Sequence, residues 1–189
     1  MMSYAILIYG PIGSGKTEAC LRLKEKLLGE GAEIGGVVSP RVFQDGELIG
    51  YDCLDAASGE SFPLVRLRDT TKDRDWFEFG GMKYAFSRQG FERANEILMR
   101  SILKPRRNLI IFVDEFGRLE RAGLGFYTGA ERVAEALEKR GIAIYTCRSD
   151  LIEAVEELVR GKVKVICKYD SADFKAIYGK METCLHARG

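Results

Sequence analysis

Apolar residues fall along this chain in short continuous runs, separated by charged stretches with helical spacing. That alternation predicts an α/β fold. Ala5-Ile6-Leu7-Ile8-Tyr9 has the length of a buried strand. Leu21, Leu23, Leu27 and Leu28 follow among Lys and Glu as the apolar side of an amphipathic helix, expected to stop near Gly29 or Gly31. Ile34-Gly35-Gly36-Val37-Val38 predicts a second strand. Arg41-Val42-Phe43, the turn Gln44-Asp45-Gly46 and Leu48 to Leu54 then carry a hairpin signal, since Asp-Gly joins two β-prone runs. Phe62 to Leu67 adds a strand after the turn at Ser58-Gly59, and Trp76 to Phe86 is extended and aromatic. This β-rich insertion, about residues 41–86, departs from a plain βαβ repeat.

Helical spacing returns from Gln89 to Leu103, with Phe91, Ala94, Ile97, Leu98 and Ile102 on one face and Pro105 marking the end. Asn108-Leu109-Ile110-Ile111-Phe112-Val113 is the most apolar run in the chain and suits a central parallel strand covered on both faces. Gly117 to Gly129 reads as a flexible, glycine-rich loop. Thr128-x-x-Glu131 has capping-box spacing and predicts a helix through Val133, Ala134 and Leu137 to Arg140, stopped by Gly141. Ile142 to Cys147 is the next strand. A helix over Ser149–Arg160, a strand over Val163–Cys167 and a short helix over Ser171–Tyr178 complete the pattern. No repeat or linker divides the chain, so residues 1–189 are expected to form one domain.

The strongest chemical signal stands between the first strand and the first helix. Gly10-Pro11-Ile12-Gly13-Ser14-Gly15-Lys16-Thr17 fits G-x-x-x-x-G-K-[ST], the phosphate-binding loop of P-loop nucleotidases, in the strand-turn-helix setting that motif needs. Gly10, Gly13 and Gly15 let the backbone curl around a phosphate. The exposed N–H groups and the helix N-terminus supply partial positive charge. Lys16 is expected to meet the terminal phosphates, and the Thr17 hydroxyl to sit on Mg²⁺. Glu18 completes the expected nucleotide-contacting stretch.

Asp114-Glu115 ends the most apolar strand. Ligands of open α/β sheets bind beyond the C-terminal ends of the strands. Asp114 is therefore expected to share the Mg²⁺ shell with Thr17, and Glu115 to orient or deprotonate a water. Arg118 and Arg148 are candidates for stabilising charge on the transferred phosphoryl group. Thr146, at the end of the strand before Arg148, is expected on the same side of the sheet.

Composition narrows the field without redirecting it. A net charge of +1 gives no reason to expect a nucleic-acid or anionic-membrane partner. The apolar start is too short to span a bilayer and lacks a basic leader, so a cytoplasmic protein is expected. The five cysteines are widely spaced with no C-x-x-C, which disfavours structural zinc and a disulfide framework. Cys147 and Cys167 read as small core residues. The single histidine, His186, reads as a surface residue of the tail.

With both motifs placed, the chain resembles the nucleoside-triphosphatase family first described from hyperthermophiles. The resemblance rests on the Gly10–Thr17 loop and on Val113-Asp114-Glu115-Phe116-Gly117-Arg118-Leu119-Glu120, which is similar to the family's D-E-I-G-x-M-E segment. Gly46-Glu47-Leu48-Ile49-Gly50-Tyr51-Asp52 resembles its glycine-bearing hairpin, and Thr146 falls where the family usually has a Thr. It thins after Cys167, where Ser171-Ala172-Asp173 replaces a common Asn-Arg pair. The resemblance implies a P-loop NTPase three-layer sandwich, with a mostly parallel sheet of RecA/AAA+ type and a β-hairpin insertion after the second strand. It also implies Mg²⁺-dependent hydrolysis of ATP, GTP, CTP and UTP. Two rivals share the fold. A nucleoside or nucleotide kinase would use Arg66 to Asp75 as an arginine-bearing lid, where the simpler reading is a solvated loop. A nucleotide-dependent switch or assembly factor would hydrolyse slowly in the service of a protein partner.

Overall fold

The computed structural model of the protein describes residues 2–103, 109–137 and 141–186. Pro105, Asn108 and Arg140, which were expected to bound elements, lie outside the described residues. Five strands form a parallel set: β1 (Ser3–Gly10), β2 (Glu33–Val38), β8 (Leu109–Phe116), β9 (Gly141–Arg148) and β10 (Val165–Asp170). They lie in the order β10-β1-β9-β8-β2. Between β2 and β8 the chain builds β3 (Arg41–Gln44), β4 (Glu47–Asp55), β5 (Ser61–Leu67), β6 (Trp76–Glu78) and β7 (Tyr84–Ser87). These strands are antiparallel and extend the same sheet outward from β2, with β3 paired on β4. The β-rich insertion is thus the continuation of the sheet.

The unbroken apolar runs follow from two-sided burial. Successive strand side chains point to opposite faces, so a strand that alternates apolar and polar residues can cover only one face. Ile6 and Ile8 of β1, Ile110 and Phe112 of β8, and Ile142 and Ile144 of β9 pack on the face covered by α1 (Lys16–Gly29) and α6 (Phe174–His186). Leu7, Ile111, Val113 and Tyr145 pack on the other face. There they meet α2 (Arg88–Leu103), α4 (Tyr127–Ala136) and α5 (Ile152–Val159).

Several boundaries differ from expectation. In α1 the buried stripe is Ala19, Cys20, Leu23 and Leu27, while Leu28 is exposed. The stretch Gly117–Gly129 holds a short helix, α3 (Arg118–Arg121), and the first turn of α4. The Thr128-x-x-Glu131 capping box is not formed, because α4 begins at Tyr127, with Phe126 as its cap residue two positions before Thr128. The last strand runs to Asp170 rather than Cys167, following β1 residue by residue from Tyr4↔Val165 to Tyr9↔Asp170. Helix α6 continues well past Tyr178, since Ile177, Met181 and Cys184 form a fully buried stripe against the sheet. Cys147 is buried as expected, but Cys167 is only half-buried. The charged run after β5 opens with a 3-10 turn over Arg68–Thr70. Its far end is pinned by Asp75, which accepts hydrogen bonds from Ser87 Oγ (2.5 Å) and Gln89 N–H (2.8 Å).

Candidate active site

The loop joining β1 to α1 has the geometry its glycines permit. Gly13 and Gly15 have φ of 82° and 85°, a region costly for any residue with a Cβ. At Gly10 the constraint is space: a Cβ there would stand 2.4 Å from Ser14 Oγ and 2.6 Å from Ser171 Oγ. Lys16 opens α1 and is 6% exposed. Its Nζ donates to the carbonyls of Gly10 (3.2 Å) and Pro11 (2.9 Å), so the ammonium lies folded into the cradle of its own loop. Ser171 braces the loop from behind, donating from Oγ to Ser14 Oγ at 2.8 Å and from N–H to Tyr9 O at 2.8 Å. The residue that breaks the family pattern after β10 is therefore a strut of the phosphate loop.

Asp114 reaches this loop because β9 alone separates β8 from β1. Thr146 of β9 stands beside Ile8 of β1. Its hydroxyl donates to Asp114 Oδ1, and the Ser39 N–H donates to Oδ2 at 2.9 Å. The Ser39 hydroxyl holds the Asp114 carbonyl. Asp114 is fully buried. Burial raises its pKa, while hydrogen bonds from Thr146, Ser39 and Thr17 and the nearby Lys16 charge work against that rise. Thr17 and Asp114, far apart in sequence, are thus neighbours, close enough for the Thr17 hydroxyl to bear on the carboxylate. Their oxygens suit a hard divalent cation such as Mg²⁺, which takes few protein ligands and keeps several waters. Among the described residues no group of three or more His, Cys, Asp or Glu side chains could hold a metal, so most of such a shell would come from water and ligand.

Glu115 is half-buried and faces a cavity of about 390 Å³ whose floor is the loop from Ile12 to Glu18. Its pKa is raised by burial first and by the Asp114 charge second; Lys16, Arg41 and Arg148 pull it back down. Arg41 is a finding of the tertiary structure. The hairpin β3–β4 folds over the loop and places Arg41, Phe43 and Tyr51 in the cavity wall. Of the two arginines expected here, Arg148 is clamped by Asp150 through two bonds of 2.9 and 3.0 Å. Arg118 is exposed at the start of α3 and lines a second cavity that shares Glu115 with the first.

Glu120 lies in the motif that carries the family resemblance, and its role is structural. One carboxylate oxygen accepts the Gly117 N–H (2.8 Å) and the other the Phe126 N–H (2.9 Å), clasping the segment between β8 and α4. Burial pushes its pKa up to about 7, against those two hydrogen bonds. Between its ordinary value of 4.5 and about 7 the folded chain binds this proton more tightly than the unfolded chain. The stability it contributes is therefore present at low pH and is lost as pH rises through that window, by at most about 1.4 kcal/mol per pH unit. The thermal midpoint of the nucleotide-free protein should fall from about pH 5 to about pH 8. Glu120→Gln should reduce that slope, and an unchanged slope would show that this carboxyl is not the titrating group.

A glycine loop between strand and helix, with its lysine and hydroxyl facing an acidic pair on the strand next but one in the sheet, defines a P-loop NTPase, a nucleotide-binding protein. The NTPase family profile matches residues 5–173, and the chain belongs to that family. It is 28% identical over 135 residues to Nucleoside-triphosphatase THEP1 of Methanopyrus kandleri, spanning 71% of this chain and 69% of that one. With THEP1 of Korarchaeum cryptofilum it shares 28% identity over 153 residues, 80% of this chain and 72% of the other. The fold matches the solution structure of a human cancer-related nucleoside triphosphatase with a TM-score of 0.74 at 21% identity, covering 99% of both chains. Among the described residues no helix is long and apolar enough to cross a membrane.

Proposed function

We propose that this protein hydrolyses the β–γ phosphoanhydride of ATP, GTP, CTP and UTP, with Mg²⁺ held at Thr17 and Asp114 and Glu115 activating the attacking water. The carrying observation is the convergence of Lys16, Thr17, Asp114 and Glu115 at the C-terminal ends of β1 and β8. In the proposed reaction the loop N–H groups and Lys16 hold the β- and γ-phosphate oxygens. Glu115 places a water in line with the γ-phosphorus and takes its proton. The bond to the β–γ bridging oxygen breaks, and nucleoside diphosphate and phosphate leave. A bound Mg²⁺ would neutralise charge on those oxygens. Both Asp114 oxygens already accept hydrogen bonds, which favours contact with the ion through a water.

The order β10-β1-β9-β8-β2 corresponds, within the parallel set, to fifth-first-fourth-third-second. It supports reading the sheet as RecA/AAA+ type, with one strand between the loop strand and the acidic strand. The continuous sheet also supports one NTPase domain over residues 1–189, and a cytoplasmic location is part of the proposal. The direct test is phosphate release from each of the four nucleotides with Mg²⁺ and no acceptor; absence of release from all four would refute hydrolysis.

Two further outcomes are expected. EDTA should abolish release and Mg²⁺ or Mn²⁺ should restore it, while Asp114→Asn should raise the Mg²⁺ concentration needed for half-maximal rate. EDTA-resistant turnover would exclude the metal site. Among the described arginines, Arg41 alone lines the phosphate cavity and acts on Glu115 without a carboxylate of its own. Arg41→Ala should lower kcat by about 10²-fold, as loss of one donor to transition-state charge does. Arg148→Ala and Arg118→Ala should cost less, and the reverse ranking would return the role to one of those two.

A further inference from the structure

The phosphate cavity changes character along its length. At one end Glu115, Arg41 and Tyr51 stand within electrostatic reach of one another. Away from them the wall turns apolar. Leu21 lies one turn into α1 beyond Thr17, about 6 Å along the helix axis. Phe43 lies two residues beyond Arg41 on β3, about 7 Å toward the hairpin tip. The phosphate chemistry proposed above uses neither residue.

Phe43 is 57% exposed, whereas every other described phenylalanine, tyrosine and tryptophan is buried or half-buried. Phe62, Phe77 and Phe174 each carry an arginine guanidinium over the ring. Among the described residues no ring stacks on Phe43 and no cation lies over it. Its backbone is nevertheless fixed. Asp45 and Gly46, with φ of 51° and 81°, make the tight two-residue turn that suits a hairpin, closed by the pairs Gln44↔Glu47 and Phe43↔Leu48. A rigidly mounted ring in the wall of a cavity offers its face to a flat, apolar part of a ligand.

The proposed reaction decides which part of the ligand arrives there. With the γ-phosphate at Glu115, the α-phosphate and the nucleoside extend the other way, past Thr17 and Glu18 toward Leu21 and Phe43. The charged side chains nearest that end, Glu18 and Arg41, are both exposed, so no buried donor or acceptor is set there to read a base edge. We infer that Phe43 is the platform on which the nucleobase stacks, and that the protein holds the base by its face and not by its edge. Every base has a π face, so such a platform takes all four bases and favours purines, whose larger rings overlap it more. This inference rests on the phosphate-loop reading of nucleotide binding given above.

Calorimetric titration with ADP, GDP, CDP and UDP in the presence of Mg²⁺ tests it without turnover. Phe43→Ala should raise each Kd by about 5- to 100-fold, the usual worth of one stacked base, with the purines losing more. Phe43→Trp should restore binding, while Phe43→Leu, apolar but without a ring face, should not. Inorganic tripolyphosphate, which has no base, should displace ADP equally well from the wild type and from Phe43→Ala. Unchanged Kd values in Phe43→Ala overturn the inference. So does full rescue by leucine, or an equal loss for tripolyphosphate, which would make Phe43 a prop of the loop. A loss confined to one of the four bases overturns binding by the face alone. The same titrations separate the two readings. Binding that depends on the Phe43 ring, without phosphate release from any nucleotide, removes only hydrolysis. Phosphate release with binding indifferent to Phe43 removes only the platform.

Discussion

Lys16→Ala should bring nucleotide turnover down by about 10²–10³-fold or more, the cost of removing a main positive group from the phosphoryl transition state. The free protein shows why binding should suffer as well. Lys16 Nζ holds the carbonyls of Gly10 and Pro11, so the ammonium shapes the cradle before any phosphate enters. An incoming phosphate takes over those two bonds from the carbonyls. With alanine the phosphate loses its cation and the loop loses an internal tie. Equilibrium titration with a Mg²⁺-nucleotide and steady-state phosphate release, measured side by side, should both fall. Turnover close to that of the wild type would contradict the whole phosphate-loop assignment.

Glu115→Gln should give the opposite combination: binding retained, turnover down by about 10²–10⁴-fold, the usual worth of general-base assistance. Glutamine keeps the size and most of the hydrogen bonding but accepts no proton. The raised pKa adds a second signature. A base works only when ionised, and burial together with Asp114 moves the ionisation of Glu115 above its ordinary 4.5. The rate should therefore climb with pH through a limb displaced upward from the ordinary carboxylate range, and the Gln variant should lose that limb. A Gln variant that hydrolyses at the wild-type rate, with the same pH profile, would assign water activation to another group.

Both predictions depend on residues that the chain announces locally, yet their meeting is a tertiary fact. The Gly10–Thr17 pattern is legible because glycines, lysine and hydroxyl must occur at fixed short spacings around a phosphate. The apolar run ending in Asp114-Glu115 is legible because a strand buried on both faces leaves no polar positions. Arg41 carries no such mark. It is one exposed arginine on a hairpin, and only the fold of β3–β4 over the loop turns it toward Glu115. Ser39 and Ser171 are equally silent, since a single serine outside a repeating pattern has no period to detect. The Thr128-x-x-Glu131 spacing shows the converse: a local signal outcompeted when the Phe126 N–H found the Glu120 carboxylate instead. Gly179 would end a helix on propensity, but burial of Met181 and Cys184 carries α6 onward.

By itself, then, the sequence determined which segments are strands and helices and which local motifs bear the chemistry, because both are written in spacings of a few residues. Tertiary structure decided the strand order β10-β1-β9-β8-β2, and with it the placing of Thr146 against Asp114 and of Asp114 against Thr17. It also turned the β-rich insertion into the wall of two cavities that meet at Glu115. The physical reason is that strand pairing and hairpin docking are selected by the burial of whole faces against one another. No single stretch of the chain contains more than half of any such contact.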